Sequence, residues 1–191
     1  MSDAPIGPPS AQRPVAKYGV VARLFHWIIA LLVVLQIPAG IAMTSEPLAA
    51  ASDPLFIYHK GMGAVLLVLV LARAVWRATH RPPPFPSYMS PLEQRIAGAT
   101  HLGIYAMLVV MTVSGYVRTV GDGFPIELFD ALGIPPLIPQ NAGMAAAMLV
   151  VHQFAVVGLV ALVATHVAMV LRHHLIDGNP VLARMWPPVG R

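Results

Sequence analysis

Four stretches of roughly twenty mostly apolar residues constrain this chain more than any other feature. They cover about 24–43, 55–76, 96–117 and 145–171. About 20 such residues in helical form cross the hydrocarbon core of a bilayer. Only a helix or a closed barrel satisfies its backbone polar groups there. The expected fold class is an all-α integral membrane protein, a bundle of four transmembrane helices. Composition points the same way. Of 191 residues, 57% are apolar and 10% are charged, against roughly 45–50% and 25% in a soluble domain. That excludes a water-soluble globule and, for most of the chain, disorder. A fifth apolar patch at 124–139 is broken by prolines and acids and reads as an outer loop with one interfacial turn. The absence of cysteine excludes disulfides, iron–sulfur clusters, thiolate zinc sites and thiol catalysis.

The charges set a direction. With the N-terminus inside, Arg13, Lys17, Arg23, Arg73, Arg77, Arg81, Arg95, Arg172, Arg184 and Arg191 all fall on the inner side, ten of the twelve basic residues. Only Lys60 and Arg118 remain outside, with five of the eight acids. The loops are short, so the positive-inside rule predicts that both termini are cytoplasmic. The net charge of +4 is thus a topology signal, and no nucleic-acid partner is expected. A secretory leader is the competing reading of the first span, but its apolar run exceeds the usual 7–15 residues and contains His26. Residues 1–16 and 187–191 read as cytoplasmic tails, the first of them flexible, around a membrane domain at 17–186. The Pro-rich loop at 80–91 separates two helical hairpins.

Eight histidines in so apolar a chain need an account. His80, His173 and His174 stand beside arginines at inner helix ends and read as solvated interfacial polarity. His26, His59, His101, His152 and His166 lie in or at the edge of the spans. Ionisable residues there face the bundle interior and usually serve function. His152 and His166 are fourteen residues apart, about 40° short of four full turns at 100° per residue. They leave one face of the helix, separated by about 21 Å along its axis.

The same offset joins His26 to Gly40, His59 to Arg73, and His101 to Gly115. Because helix direction alternates, these residues sort into two layers. His26, Arg73, His101 and His166 form the inner layer; Gly40, His59, Gly115 and His152 form the outer one. Histidines on facing helices suit b-type haem, which is held by axial side chains without covalent links. Glycine admits close approach to a wide ring, and Lys60, Arg118, Arg23, Arg73, Arg77 and Arg172 offer charge for propionates. The outer layer has only the pair His59 and His152. The inner layer has three histidines, so His101 reads as a ligand, a propionate partner or a proton-handling group. Gly61, Gly63 and Gly158 read as small-residue packing, and the methionines as apolar filler.

Several ordered elements make the chain similar to the bacterial di-haem cytochrome b561 family across about 17–186. They are Tyr18 and Arg23-Leu24-Phe25-His26-Trp27; His59-Lys60-Gly61 and Arg73; His101 with Tyr105; His152 and His166; and Asp177-Gly178-Asn179 followed by Leu182-Ala183-Arg184-Met185. The resemblance implies a four-helix bundle in the bacterial inner membrane. It implies two haem b groups on His26, His59, His152 and His166, with ubiquinone as a further cofactor. It implies electron exchange between the quinone pool and a periplasmic or membrane redox protein. The family often has another histidine shortly before His101; here that stretch reads Arg95-Ile96-Ala97-Gly98-Ala99.

Other readings predict different behaviour. A superoxide:ubiquinone oxidoreductase would gain from a cationic outer mouth, whereas the outer loops are acidic. A histidine-lined metal or proton transporter would want carboxylates within its spans, which are almost absent. A cytochrome b anchor of a larger oxidoreductase is the third alternative, and the short inner tail favours a self-contained electron carrier.

Overall fold

A computed structural model describes residues 16–189. The bulk of the expected tails, including Arg13 and Arg191, lies outside them. All regular structure among the described residues is helical. The long helices are α1 (Val20–Ala42), α2 (Ser52–Thr79), α3 (Pro91–Gly121) and, after a short helix α4 (Glu127–Ala131), α5 (Ala142–Leu171). All four long helices have the length and apolarity to cross a membrane. Each begins several residues before the expected span, and all but α1 and α5 also end beyond it. A 3₁₀ turn at Glu46–Ala51 leads into α2, and a π turn at Arg172–Ile176 ends α5. The patch at 124–139 is a loop carrying α4, its single helical turn.

Local chemistry sets the helix starts. Ser90 begins α3 with a capping box: its Oγ accepts from Glu93 N (3.3 Å) while Glu93 Oε2 accepts from Ser90 N (2.8 Å). Pro91 follows at the first helical position, where its missing N–H costs nothing. Asn141 caps α5 by accepting from Met144 N at 2.9 Å. Pro38 is tolerated inside α1 because packed membrane helices absorb such breaks.

Backbone packing is uneven. Helix α3 runs closely along α5, α1 along α2, and α2 along α3, whereas α5 comes near α1 and α2 at most at isolated points. At the end away from the arginines Gly121 lets α3 touch α5: a Cβ there would lie 3.1 Å from Ala145 Cβ. The buried core comprises Ile29, Val33, Leu66, Val70, Leu108 and Leu159. Four of these, Val33, Leu66, Leu108 and Leu159, stand seven residues after His26, His59, His101 and His152. The packed core is therefore the midpoint of all four fourteen-residue intervals, an apolar plug between two polar layers. The outer surface is an apolar belt, with Leu31, Leu102 and Phe154 among its exposed side chains.

The arginine-rich end is laced together across the sequence. Buried Arg184 donates to Ala16 O (3.2 Å), Pro83 O (3.2 Å) and Pro84 O (2.7 Å). Arg23 donates to Pro187 O at 2.6 Å, and Trp27 Nε1 to Met185 O at 2.9 Å. The Pro-rich loop and both edges of the expected tails are thus pinned to one another.

Candidate haem-binding layers

At the end away from the arginines, the outer one on the sequence expectation, α2 supplies His59 and α5 supplies His152. Their ring centres are 6.2 Å apart and their planes are at 81°. His152 Nδ1 lies 2.9 Å from Met111 O and 3.2 Å from Ser114 Oγ. A carbonyl only accepts, so Nδ1 carries the proton and Nε2 is left with its lone pair. This is the arrangement in which a metal-binding histidine is oriented by its second nitrogen. His59 is held differently: its backbone carbonyl accepts from Gln36 Nε2 at 2.9 Å, and its buried Nδ1 has no partner.

A cavity of about 790 Å³ opens beside the pair, lined by His59, His152, Gly63, Gly115, Tyr116 and Lys60 among others. At its rim Lys60 Nζ donates to Glu127 Oε1 and to Pro125 O, both at 2.8 Å. Arg118 is ion-paired with Asp122. The carboxyl of Glu127 is pushed up by burial, but the hydrogen bond and charge of Lys60 together with its own backbone outweigh this. It titrates below the ordinary carboxylate range.

At the arginine-rich end, His26 of α1 faces His166 of α5 at 6.2 Å between ring centres, planes at 73°. His101 of α3 also touches His166, at 5.2 Å and 62°. Arg73 completes this group: its Nε donates to Tyr105 OH at 2.6 Å, and its charge reaches His26, His101 and His166.

The two 6.2 Å separations are informative. A metal bound end-on between imidazoles lies about 2.0–2.1 Å from each nitrogen, and adding roughly 1.1 Å from each nitrogen to its ring centre gives about 6.3 Å. The pairs His59–His152 and His26–His166 match this span; His101–His166 is shorter. No group of three or more protein metal ligands occurs among the described residues. A haem needs only two, because its ring supplies the others.

The predicted residues thus fall into two groups with two refinements. Gly40 and Gly115 sit in the outer layer, but each abuts an imidazole: an added Cβ would meet His59 Cε1 at 3.0 Å and His152 Cε1 at 3.1 Å, respectively. They make room for the histidine rings as well as for anything between them. Gly158, against Met107 Sδ, is the packing contact expected. His80 and His174 are exposed, as predicted. His173 is not: it is buried at 5% exposure, its Nδ1 2.9 Å from Asp177 Oδ2. The π turn folds its ring inward. Arg23 and Arg172, offered above as propionate partners, are engaged in the end lacing and with Glu93 and Asp177. Gln36 and Ser114 were missed. A lone amide in an apolar span was a readable signal for Gln36, whereas the Met111 carbonyl has no sequence signature at all.

An all-helical multi-pass bundle with histidine pairs facing across its interior belongs to the class of membrane b-type cytochromes. The sequence model of the prokaryotic cytochrome b561 family matches residues 17–188. Cytochrome b561 homolog 2 of Escherichia coli (strain K12) is 32% identical over 174 residues, covering 88% of this chain and 90% of that protein. The chain belongs to the prokaryotic cytochrome b561 family and is a membrane haem b electron-transfer protein.

Proposed function

We propose that this chain carries two bis-histidine b haems and moves electrons between the quinone pool and a redox partner. His59 and His152 hold the outer haem; His26 and His166 hold the inner one. The observation that carries this reading is the repeated 6.2 Å histidine separation in two layers joined by α5. When bound, haem iron supplies a reversible one-electron couple. Two histidines per iron leave no open position, so the protein relays electrons and does not activate oxygen at the metal. Met111 O and Ser114 fix the His152 ring; Gly40 and Gly115 leave space for both rings. Arg73 at the inner group supplies charge for propionates, whereas Lys60 and Arg118 at the outer rim are already paired with Glu127 and Asp122 and would serve a propionate only by exchanging those partners. His101 handles protons or orients His166 and is not a ligand.

On this reading the arginine-rich end and both termini lie in the cytoplasm, which the positive-inside rule favours, and the bundle sits in the bacterial inner membrane. Capture of superoxide at the outer mouth is the weaker reading, because both outer cations are paired with carboxylates. A transporter is weaker still, because the spans lack paired carboxylates.

Haem content of the purified protein, by pyridine haemochrome, tests the reading. Two haems per chain are expected. His59→Ala and His152→Ala should each leave about one, with the inner couple still titrating. His101→Ala should keep two. One haem per chain in the parent protein, or an unchanged spectrum in either outer variant, overturns the assignment.

A further inference from the structure

On the lipid-facing side of the Arg73–Tyr105 pair, a groove of about 390 Å³ runs between α2 and α3 near the arginine-rich end. It is lined by Ala74, Arg77, Ala78, Gly98, Leu102 and Tyr105. We infer that this groove is a binding site for an acidic phospholipid, with the phosphate at Arg77 and an acyl chain laid along Gly98 and Leu102.

Three observations carry the inference. The first is shape. Ala74, Ala78 and Gly98 cut a notch between two neighbouring helices, and a Cβ built on Gly98 meets nothing within 4 Å. Leu102 is 71% exposed, so the notch opens outward onto the lipid-facing surface, and it shares no lining residue with the cavity beside His59 and His152.

The second is charge. Arg77 lies with its guanidinium 5.8 Å from the centre of the Tyr105 ring, and Arg73 approaches the same ring at 5.6 Å. Neither Arg77 nor Arg95 has a carboxylate within ion-pair distance among the described residues. Arg95 stands one helical turn before Gly98 and on nearly the same stripe of α3 as Gly98 and Leu102. The Arg77 guanidinium at an apolar notch, with Arg95 one turn before Gly98 on α3, fits a phosphate carrying acyl chains. A neutral ring would need only one donor and leaves the charge uncompensated. Guanidinium groups suit phosphate through paired donors.

The third is depth. Helix α3 has 31 residues, about 46 Å at 1.5 Å per residue, against about 30 Å of hydrocarbon, which leaves roughly 8 Å beyond the core at each end. The boundary then falls about five residues into α3, between Arg95 and Gly98. Phosphate lies at that level, with the acyl chain below it, within reach of long arginine side chains near the helix ends.

Native mass spectrometry of the detergent-purified holoprotein tests the site. Increasing amounts of dioleoylphosphatidylglycerol, dioleoylphosphatidylcholine or ubiquinone-2 would be added separately. The parent protein should retain one phosphatidylglycerol at least fivefold better than phosphatidylcholine. Arg77→Gln should remove that preference by losing the phosphate contact. Gly98→Leu should lower retention of phosphatidylglycerol at least fivefold by filling the notch. Haem content, read from the same spectra, reports that each variant is folded, and either variant alone suffices if the other fails to fold. Arg81→Gln, at the same end but outside the groove, should change nothing. Equal retention of the two phospholipids overturns the proposal. So does a loss in Arg81→Gln as large as in Arg77→Gln, which would mean diffuse charge. Saturable ubiquinone-2 binding that alone responds to Gly98→Leu also overturns it.

Discussion

The two outer histidines differ in how freely they can yield. His152 is anchored at Nδ1 by Met111 O, whereas the His59 ring has no partner at Nδ1 and only its backbone is held by Gln36. The glycines opposite them are equally tight, with clearances of 3.0 and 3.1 Å for an added Cβ. A methyl at Gly40 should therefore be accommodated by a small swing of His59. A methyl at Gly115 must break the Met111 bond or push the helices apart, an overpacking cost of about 1–3 kcal/mol. Gly115→Ala is expected to lower outer-haem content to less than half while Gly40→Ala retains most of it, both read by redox titration of the reduced bands. Equal behaviour of the two variants would mean that the Met111 tether does not govern the ring. At this scale the sequence was legible in part. The fourteen-residue offsets identified which residues share a layer, because that depends only on helical geometry. Whether a glycine meets a flat ring or its ligand depends on helix rotation, which the spacing does not encode. His173 was misjudged because its arginine neighbour suggested solvent, while a π turn carries its ring inside.

Helix α4 is a short element held over the outer cavity, and its tie to the bundle is ionic. Lys60 bridges from α2 to Glu127 and to Pro125 O, and Gly61 lies against Leu128. Because the Glu127 carboxyl titrates below its ordinary value, the stabilisation it gives is present above the ordinary carboxylate value. It is lost as pH falls through the lowered one. The protection of residues 126–131 against hydrogen exchange, taken relative to the intrinsic rate at each pH, should therefore fall only in acid below the ordinary carboxylate range. Glu127→Gln should exchange fast at neutral pH and lose that acid dependence; slow exchange in this variant would show that the apolar contacts alone hold α4. The four long helices were readable from apolar length. Their extra turns were not, because capping residues such as Ser90 and Asn141 extend a helix past the hydrocarbon boundary that sets the apolar run.

The molecule as a whole is closed at one end by Arg184, a buried cation whose three acceptors come from the chain's start and from the loop between α2 and α3. Removing it orphans carbonyls at a point where no helix ladder replaces them, and charged hydrogen bonds of this kind contribute about 1.5–3 kcal/mol each. Arg184→Ala is expected to lower the thermal midpoint by several degrees and to release the inner haem before the outer one on heating. Simultaneous release would mean that the end lacing does not support the inner layer.

The apolar plug at Val33, Leu66, Leu108 and Leu159 has an electrical consequence. It separates the two histidine layers, the proposed haem sites, by about 21 Å along α5, roughly two-thirds of a hydrocarbon core about 30 Å thick. An electron passing between them crosses that share of the transmembrane voltage. At about 2.3 kcal/mol per charge per 100 mV, the membrane potential biases the distribution by roughly 1.6 kcal/mol for each 100 mV, more than tenfold. In proteoliposomes of uniform orientation, a potassium diffusion potential should shift the reduced fraction from one layer to the other, and reversing its sign should reverse the shift. With both proposed haems in place and the arginine-rich end inside, the bundle would be a wire whose two ends sit at different voltages, and an energised membrane would hold electrons preferentially on its outer layer.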